Sequence, residues 1–247
     1  MSQAPPVRRV DEAPAATAPA HHAPRPRGMR EPARGWPLGL PARALRRALW
    51  ATLLGPFVDL VYDVRAVGAE RLAALDGPVI FAANHCAHLD NGFIIVALPG
   101  RWRRRLTIAA ATEDIFGPRH FGLPIKGWLA QLLGNAFAFA PRGRRPARMD
   151  HLHALLDVGW SVLIFPEGKL TVCGPMRPFK AGIGLLAVET RVPVVPVRVD
   201  IRRRGYWEGA GVRRGAVEVR FGEPMAFPED VEPEAAAAEL EAAVRAL

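Results

Sequence analysis

Serine is nearly missing from this chain, which holds only Ser2 and Ser161. Neither lies in a G-x-S-x-G elbow, so the standard serine-hydrolase route through a serine ester has no visible nucleophile. Acyl chemistry on this scaffold would pass directly to an acceptor. Cysteine is equally scarce. Cys86 and Cys173 form no CxxC pair, which fits a reducing compartment and demands no disulfide. Cys86 adjoins His85, but sequence neighbours point apart, so a thiol nucleophile is not expected. Lysine is confined to Lys126, Lys169 and Lys180, leaving the formal charge of +9 almost wholly to arginine. That excess points to an anionic partner: nucleic acid, anionic lipid or a phosphorylated substrate. No zinc finger, KH loop or RRM signature is present, and no nucleic-acid partner is expected.

The remaining sequence divides into a tail, a helix and a domain. Residues 1–37 are rich in Pro, Ala and Arg without apolar periodicity, and read as a disordered basic tail. Residues 38–62 read as an amphipathic helix, with Leu45, Leu49, Leu53, Phe57 and Leu60 at helical spacing and Arg43, Arg46 and Arg47 in its first turns. Pro56 is expected to break or bend it. Its uncharged run, Ala48 to Val58, is too short for a bilayer core that needs about 20 residues. A membrane-interfacial anchor and a helix packed on the domain both remain open. Residues 63–247 show no internal linker or repeat and are expected to form one α/β domain.

Within that domain, Pro78 to Ala83 is an apolar run that reads as a buried strand. It delivers Asn84-His85-Cys86-Ala87-His88-Leu89-Asp90 at its C-terminal end, where α/β proteins place their chemistry. A histidine held by a carboxylate serves as a general base. The same residues also fit a helix start, with Asn84 or Asp90 as cap and His85 structural. A second apolar strand, Trp160 to Phe165, delivers Pro166-Glu167-Gly168-Lys169 to the same expected edge of the sheet. Glu167 there either accepts hydrogen bonds from an acceptor hydroxyl or satisfies loop amides. Further strands are expected at 106–111, 134–140 and 216–221. Val192 to Val197 is expected at or near a sheet edge because of its two prolines. Helices are expected over 91–99, 149–158 and 232–247. Arg142 follows one strand end and has the guanidinium to clamp a phosphate. Lys180, before a helix start, adds charge to a local anion site.

Four of these blocks, in order, resemble the lysophosphatidic acid acyltransferase, or glycerolphosphate acyltransferase, superfamily. Asn84-His85 through Asp90 is similar to its NHxxxxD block. Gly134 to Arg142 is similar to the block ending in a phosphate-binding arginine, Phe165 to Gly168 to the FPEG block, and Val192 to Pro196 to a VPVVP-like block. Two departures stand out. Lys169-Leu170 replaces the Thr-Arg that commonly follows FPEG, and Ala140-Pro141 precedes Arg142 where an aspartate is common.

The resemblance implies an α/β fold, a mixed central sheet flanked by helices. It implies His85 and Asp90 as the catalytic pair, and Asn84, Arg142, Glu167, Gly168, Lys169 and Lys180 around the substrate. The implied reaction moves a fatty acyl group from acyl-CoA or acyl-ACP to the hydroxyl of a lysophospholipid, with 1-acyl-sn-glycerol 3-phosphate leading to phosphatidic acid. The same chemistry on another lyso-lipid or an amino-lipid, or a non-catalytic lipid-binding member, is the alternative. No metal or cofactor is expected beyond the acyl donor. The expected partners are the acyl-CoA or acyl carrier protein donor, the lysophospholipid and a membrane lipid surface, at the cytoplasmic face of the cell membrane.

Overall fold

A computed structural model describes residues 38–111, 132, 135–139, 145–172, 174–208 and 211–247. Lys126, Arg142 and Cys173 lie outside the described residues.

Seven strands form one sheet in the order β1-β9-β6-β2-β5-β3-β4. They are β1 (Tyr62–Val67), β2 (Ile80–Ala83), β3 (Leu106–Ala111), β4 (Ala136–Phe139), β5 (Ser161–Ile164), β6 (Val194–Arg203) and β9 (Gly215–Phe221). Neighbours run parallel except β6 and β9, which are antiparallel. The hairpin β7 (Tyr206–Glu208) and β8 (Gly211–Arg213) stands apart from the sheet.

β2 lies at the centre and is buried on both faces, which is why it reads as an unbroken apolar run. Side chains of a strand alternate between faces. Phe81 and Ala83 therefore join one core with Val58, Leu72, Phe93 and Trp102. Ile80 and Ala82 join the other with Leu152, Ile183, Leu186 and Leu240. Helices cover both faces. On the first lie α1 (Leu40–Leu49), α2 (Gly55–Val61), α3 (Asp90–Ala97) and α4 (Gly100–Arg103). On the second lie α5 (Arg145–Asp157), α6 (Gly182–Thr190) and α7 (Pro233–Ala246).

Two expectations need correction. β6 is not an edge strand: it pairs with β2 on one side and β9 on the other. Pro196 is tolerated because its absent N–H would face β9 just past that strand's end at Phe221. Only its carbonyl is needed there, and it accepts from the Gly222 N–H at 2.8 Å. Nor does Pro56 break the N-terminal helix. Residues Trp50–Leu54 widen into a π-helical turn, with the Gly55 N–H reaching back to the Trp50 carbonyl. α2 then starts at Gly55, placing Pro56 in its first turn, where a missing N–H costs nothing.

Candidate active site

β2, β5 and β6 are parallel, so their C-terminal ends open on one edge of the sheet. β2 stops at Ala83, and the next residue continues its pairing by side chain. Asn84 Nδ2 donates to the Val199 carbonyl at 3.0 Å, and Oδ1 accepts from the Val199 N–H at 2.7 Å. The amide thus adds one rung to the β2–β6 ladder and fixes where His85 leaves the sheet. The amide of Asn84, expected beside the substrate, bonds to β6, and the side chain is buried.

His85 and Asp90 meet. Nδ1 of His85 lies 2.9 Å from Asp90 Oδ2, with the imidazole partly exposed and the carboxylate wholly buried. Asp90 Oδ2 also accepts from the N–H groups of Cys86 at 2.7 Å and Ala87 at 2.9 Å. Those amides curl the chain around the carboxylate, and Asp90 opens α3, where a negative charge faces the helix's positive end. The expected His–Asp contact is present, and a helix does start at Asp90, but Leu89 holds the N-cap position and neither Asn84 nor Asp90 caps the helix by its side chain. With Nδ1 donating to Asp90, Nε2 is the nitrogen left to accept a proton.

The segment Phe165 to Gly168 supports the His85 loop. The Phe165 ring stacks on the His85 ring, centroids 4.3 Å apart and planes 25° apart, so the imidazole is fixed by packing as well as by Asp90. A ring face also favours a cation lying over it. Buried Glu167 accepts from the His85 N–H at 2.7 Å, the Thr171 hydroxyl at 3.2 Å and the Arg177 N–H at 2.9 Å. The Thr171 N–H in turn donates to the His85 carbonyl at 2.8 Å. Glu167 thus ties together three backbone segments. Of the two roles read for Glu167, the structure contains the bonds to loop amides.

Gly168 adopts φ +69°, and a Cβ there would collide with Lys180 Nζ. The tight turn therefore requires glycine for its left-handed backbone, and any side chain there would push the flexible Lys180 aside. Lys180 is exposed beyond that contact, as is Lys169 on the same turn. Cys86 donates weakly from Sγ to Asp90 Oδ1 and the Val199 carbonyl, each at 3.5 Å. Burial first, then Asp90, pushes its thiol well above the ordinary range, which removes it as a nucleophile. Phe165, Thr171 and the Asn84–Val199 pair escaped sequence reasoning. Phe165 was visible as the last apolar residue of a strand and the first of the FPEG-like block, but not as a partner of His85, and the other contacts join segments far apart in the chain.

Residues 63–200 match the family model described as Acyltransferase. A chloroplastic 1-acyl-sn-glycerol-3-phosphate acyltransferase of Brassica napus is 31% identical over 155 residues, covering 60% of this chain and 40% of that protein. A lyso-ornithine lipid O-acyltransferase of Pseudomonas aeruginosa is 28% identical over 146 residues, covering 59% of this chain and 50% of that protein. The chain therefore spans half or less of the length of these curated relatives. The crystal structure of the 1-acyl-sn-glycerophosphate acyltransferase from Thermotoga maritima superposes with a TM-score of 0.51 at 22% identity, covering 83% of this chain and 76% of that one.

Proposed function

Since the chain belongs to the Acyltransferase family, on the match of residues 63–200, we propose that it transfers a fatty acyl group from an acyl thioester, on coenzyme A or acyl carrier protein, to the hydroxyl of a lysophospholipid. The observation that carries this reading is the His85–Asp90 contact at the open edge of the sheet. In the proposed step, Nε2 of His85 takes the proton of the acceptor hydroxyl as its oxygen attacks the thioester carbonyl. Asp90 and the Phe165 ring steady the imidazolium. The tetrahedral intermediate then expels the thiolate, which takes the proton back from His85. The products are a diacyl lipid and a free thiol, so atoms and charge balance without a covalent enzyme intermediate.

The acceptor favoured is 1-acyl-sn-glycerol 3-phosphate, giving phosphatidic acid. Its phosphate is assigned to Lys180 and Lys169, with Arg142 as a further candidate outside the described residues. Lys180 beside the Gly168 turn supports this, because it sets a cation on the loop that braces His85. A second acceptor class, a lyso-amino-lipid, is favoured by the Pseudomonas relative and by Lys169-Leu170 standing where Thr-Arg is common. The protein works at a membrane surface, held by the exposed apolar face of residues 40–60. Among the described residues no helix is long and apolar enough to cross a membrane. The domain division proposed is 1–37 as tail, 38–62 as interfacial helix and 63–247 as acyltransferase domain.

The test presents labelled acyl-CoA and acyl-ACP with lysophosphatidic acid, other lyso-lipids and lyso-ornithine lipid. His85→Ala should lower thiol release by about 10³-fold or more, as expected when a general base is lost together with its orientation, while the melting temperature holds. Wild-type turnover in this variant would end the general-base assignment.

A further inference from the structure

A cleft of about 640 Å³ is walled by residues 40–59 on one side and by the α3–α4 segment and the start of β3 on the other. Its floor is apolar, from Trp50, Ile95, Val96 and Leu106. Its lining holds five arginines against one acid, Asp59. Two of the five are committed. Arg46 Nε donates to the Leu132 carbonyl at 2.6 Å and Nη2 to Asn135 Oδ1 at 3.3 Å, tying α1 to the sheet. Arg43 lies over the Trp160 ring at 5.5 Å. Arg47, Arg103 and Arg104 are exposed and pair with no carboxylate among the described residues. Crowding of like charge is felt inside the cluster: burial, and then Arg43, lowers the Arg46 guanidinium to about 10.

Three unpaired guanidinium groups above an aliphatic floor ask for one ligand with both an anion and a hydrocarbon chain. The surroundings identify its source. Leu45, Leu53, Phe57 and Leu60, on the helical run that forms the wall, are between 46% and 60% exposed. Such a stripe beside a basic cleft fits a bilayer rather than water. The cleft is also separate from the His85 site. None of the residues of the His85 site lines it, and Ile95 and Val96 stand in the last turn of α3, about 7–9 Å along from Asp90 at 1.5 Å per residue.

We propose that this cleft binds an anionic bilayer phospholipid as a non-substrate ligand. Its phosphate sits among Arg47, Arg103 and Arg104, and its acyl chain lies along Trp50, Ile95 and Val96. Arginine is suited to this because its planar fork engages phosphate oxygens in pairs.

The test uses the full chain and dihexanoylphosphatidylglycerol below its micellar concentration, with dihexanoylphosphatidylcholine as the zwitterionic control. Calorimetry should show the glycerol lipid binding about tenfold or more tightly than the choline lipid, a difference within the range of one charge-assisted contact. The triple variant Arg47→Gln, Arg103→Gln, Arg104→Gln should lose that preference. Lys180→Gln, at the acceptor site, should retain it. Equal binding of the two lipids overturns the proposal, and so does loss of the preference in Lys180→Gln. Displacement of the lipid by 3′,5′-adenosine bisphosphate also overturns it, because the cleft would then serve a nucleotide-bearing donor. Should the triple variant misfold, a photoactivatable phosphatidylglycerol is applied to the wild-type protein. Labelling of peptides 40–59 and 95–106 supports the site; labelling confined to 165–180 sinks it.

Discussion

Asp90 is the most heavily used side chain of the site. One carboxylate oxygen receives the imidazole and two backbone amides, while its residue starts a helix. An asparagine there offers one carbonyl oxygen and an amide whose hydrogens face donors. Asp90→Asn should therefore cost twice. Turnover should fall on the order of 10³-fold, because the ring tautomer is no longer enforced. Stability should fall by about 1–3 kcal/mol, because a buried donor loses its partner. Single-turnover kinetics and denaturant melts separate the two losses. Cys86 gives the opposite result. Its thiol is held in the neutral form well past the ordinary cysteine range by burial and by Asp90. In a Cys173→Ala background, alkylation at pH 8 should be slower than for a free thiol by about tenfold or more, and Cys86→Ala should keep most of the activity. Rapid alkylation with matching loss of turnover would restore the thiol to the mechanism. The His85–Asp90 pair was legible because five residues of sequence separate its members. That Glu167 satisfies loop amides was one of two readings of its segment, but which amides was hidden, because the His85 and Arg177 segments meet only in the folded chain.

At the scale of elements, the inner strands announced themselves by composition, whereas β1, the extension of β6 to Arg203, the β7–β8 hairpin and the strand order were hidden. β2, β5 and the first half of β6 are short apolar runs because each is covered on both faces, and the same property conceals which strand neighbours which. Pro196 misdirected the edge assignment, since a proline's cost depends on what stands opposite its missing N–H and not on the strand containing it. Pro56 misdirected in a similar way, because a π-helical turn absorbed it. The Gly168 turn shows an element whose sequence requirement is strict. Gly168→Ala forces a left-handed alanine, at about 1–2 kcal/mol, and displaces Lys180. The expected melting drop is about 2–8 °C for a domain of this size. KM for a phosphate-bearing acceptor should rise while kcat changes less. An unchanged KM for that acceptor would separate Lys180 from the headgroup.

The whole molecule is asymmetric in a way that neither core explains. The second face of the sheet is sealed by α5, α6 and α7, whose apolar sides bury Leu152, Leu186 and Leu240 almost completely. On the first face, α1 and α2 sink Ala42, Val58 and Val61 but leave Leu45, Leu53, Phe57 and Leu60 in the open. Helical spacing in the sequence revealed an amphipathic run without saying which side the domain would claim. Packing resolves this: Val58 joins the core with Phe93, and Leu53, Phe57 and Leu60 fall on the other side at i, i+4 and i+7. An apolar stripe that the fold leaves uncovered carries a standing cost in water, which a lipid surface removes at roughly 1.5–3 kcal/mol per large side chain fully buried. Replacing Leu53 and Phe57 with glutamate should therefore lower partitioning onto phosphatidylcholine–phosphatidylglycerol vesicles by about 100-fold or more. The melting temperature should stay within a few degrees, because neither side chain belongs to the core. Turnover on a short-chain acceptor free in solution should persist while turnover on vesicle-borne acceptor collapses. If both activities fall together, the helix supports the catalytic domain rather than the membrane. If vesicle binding is unaffected, the exposed stripe has some other occupant.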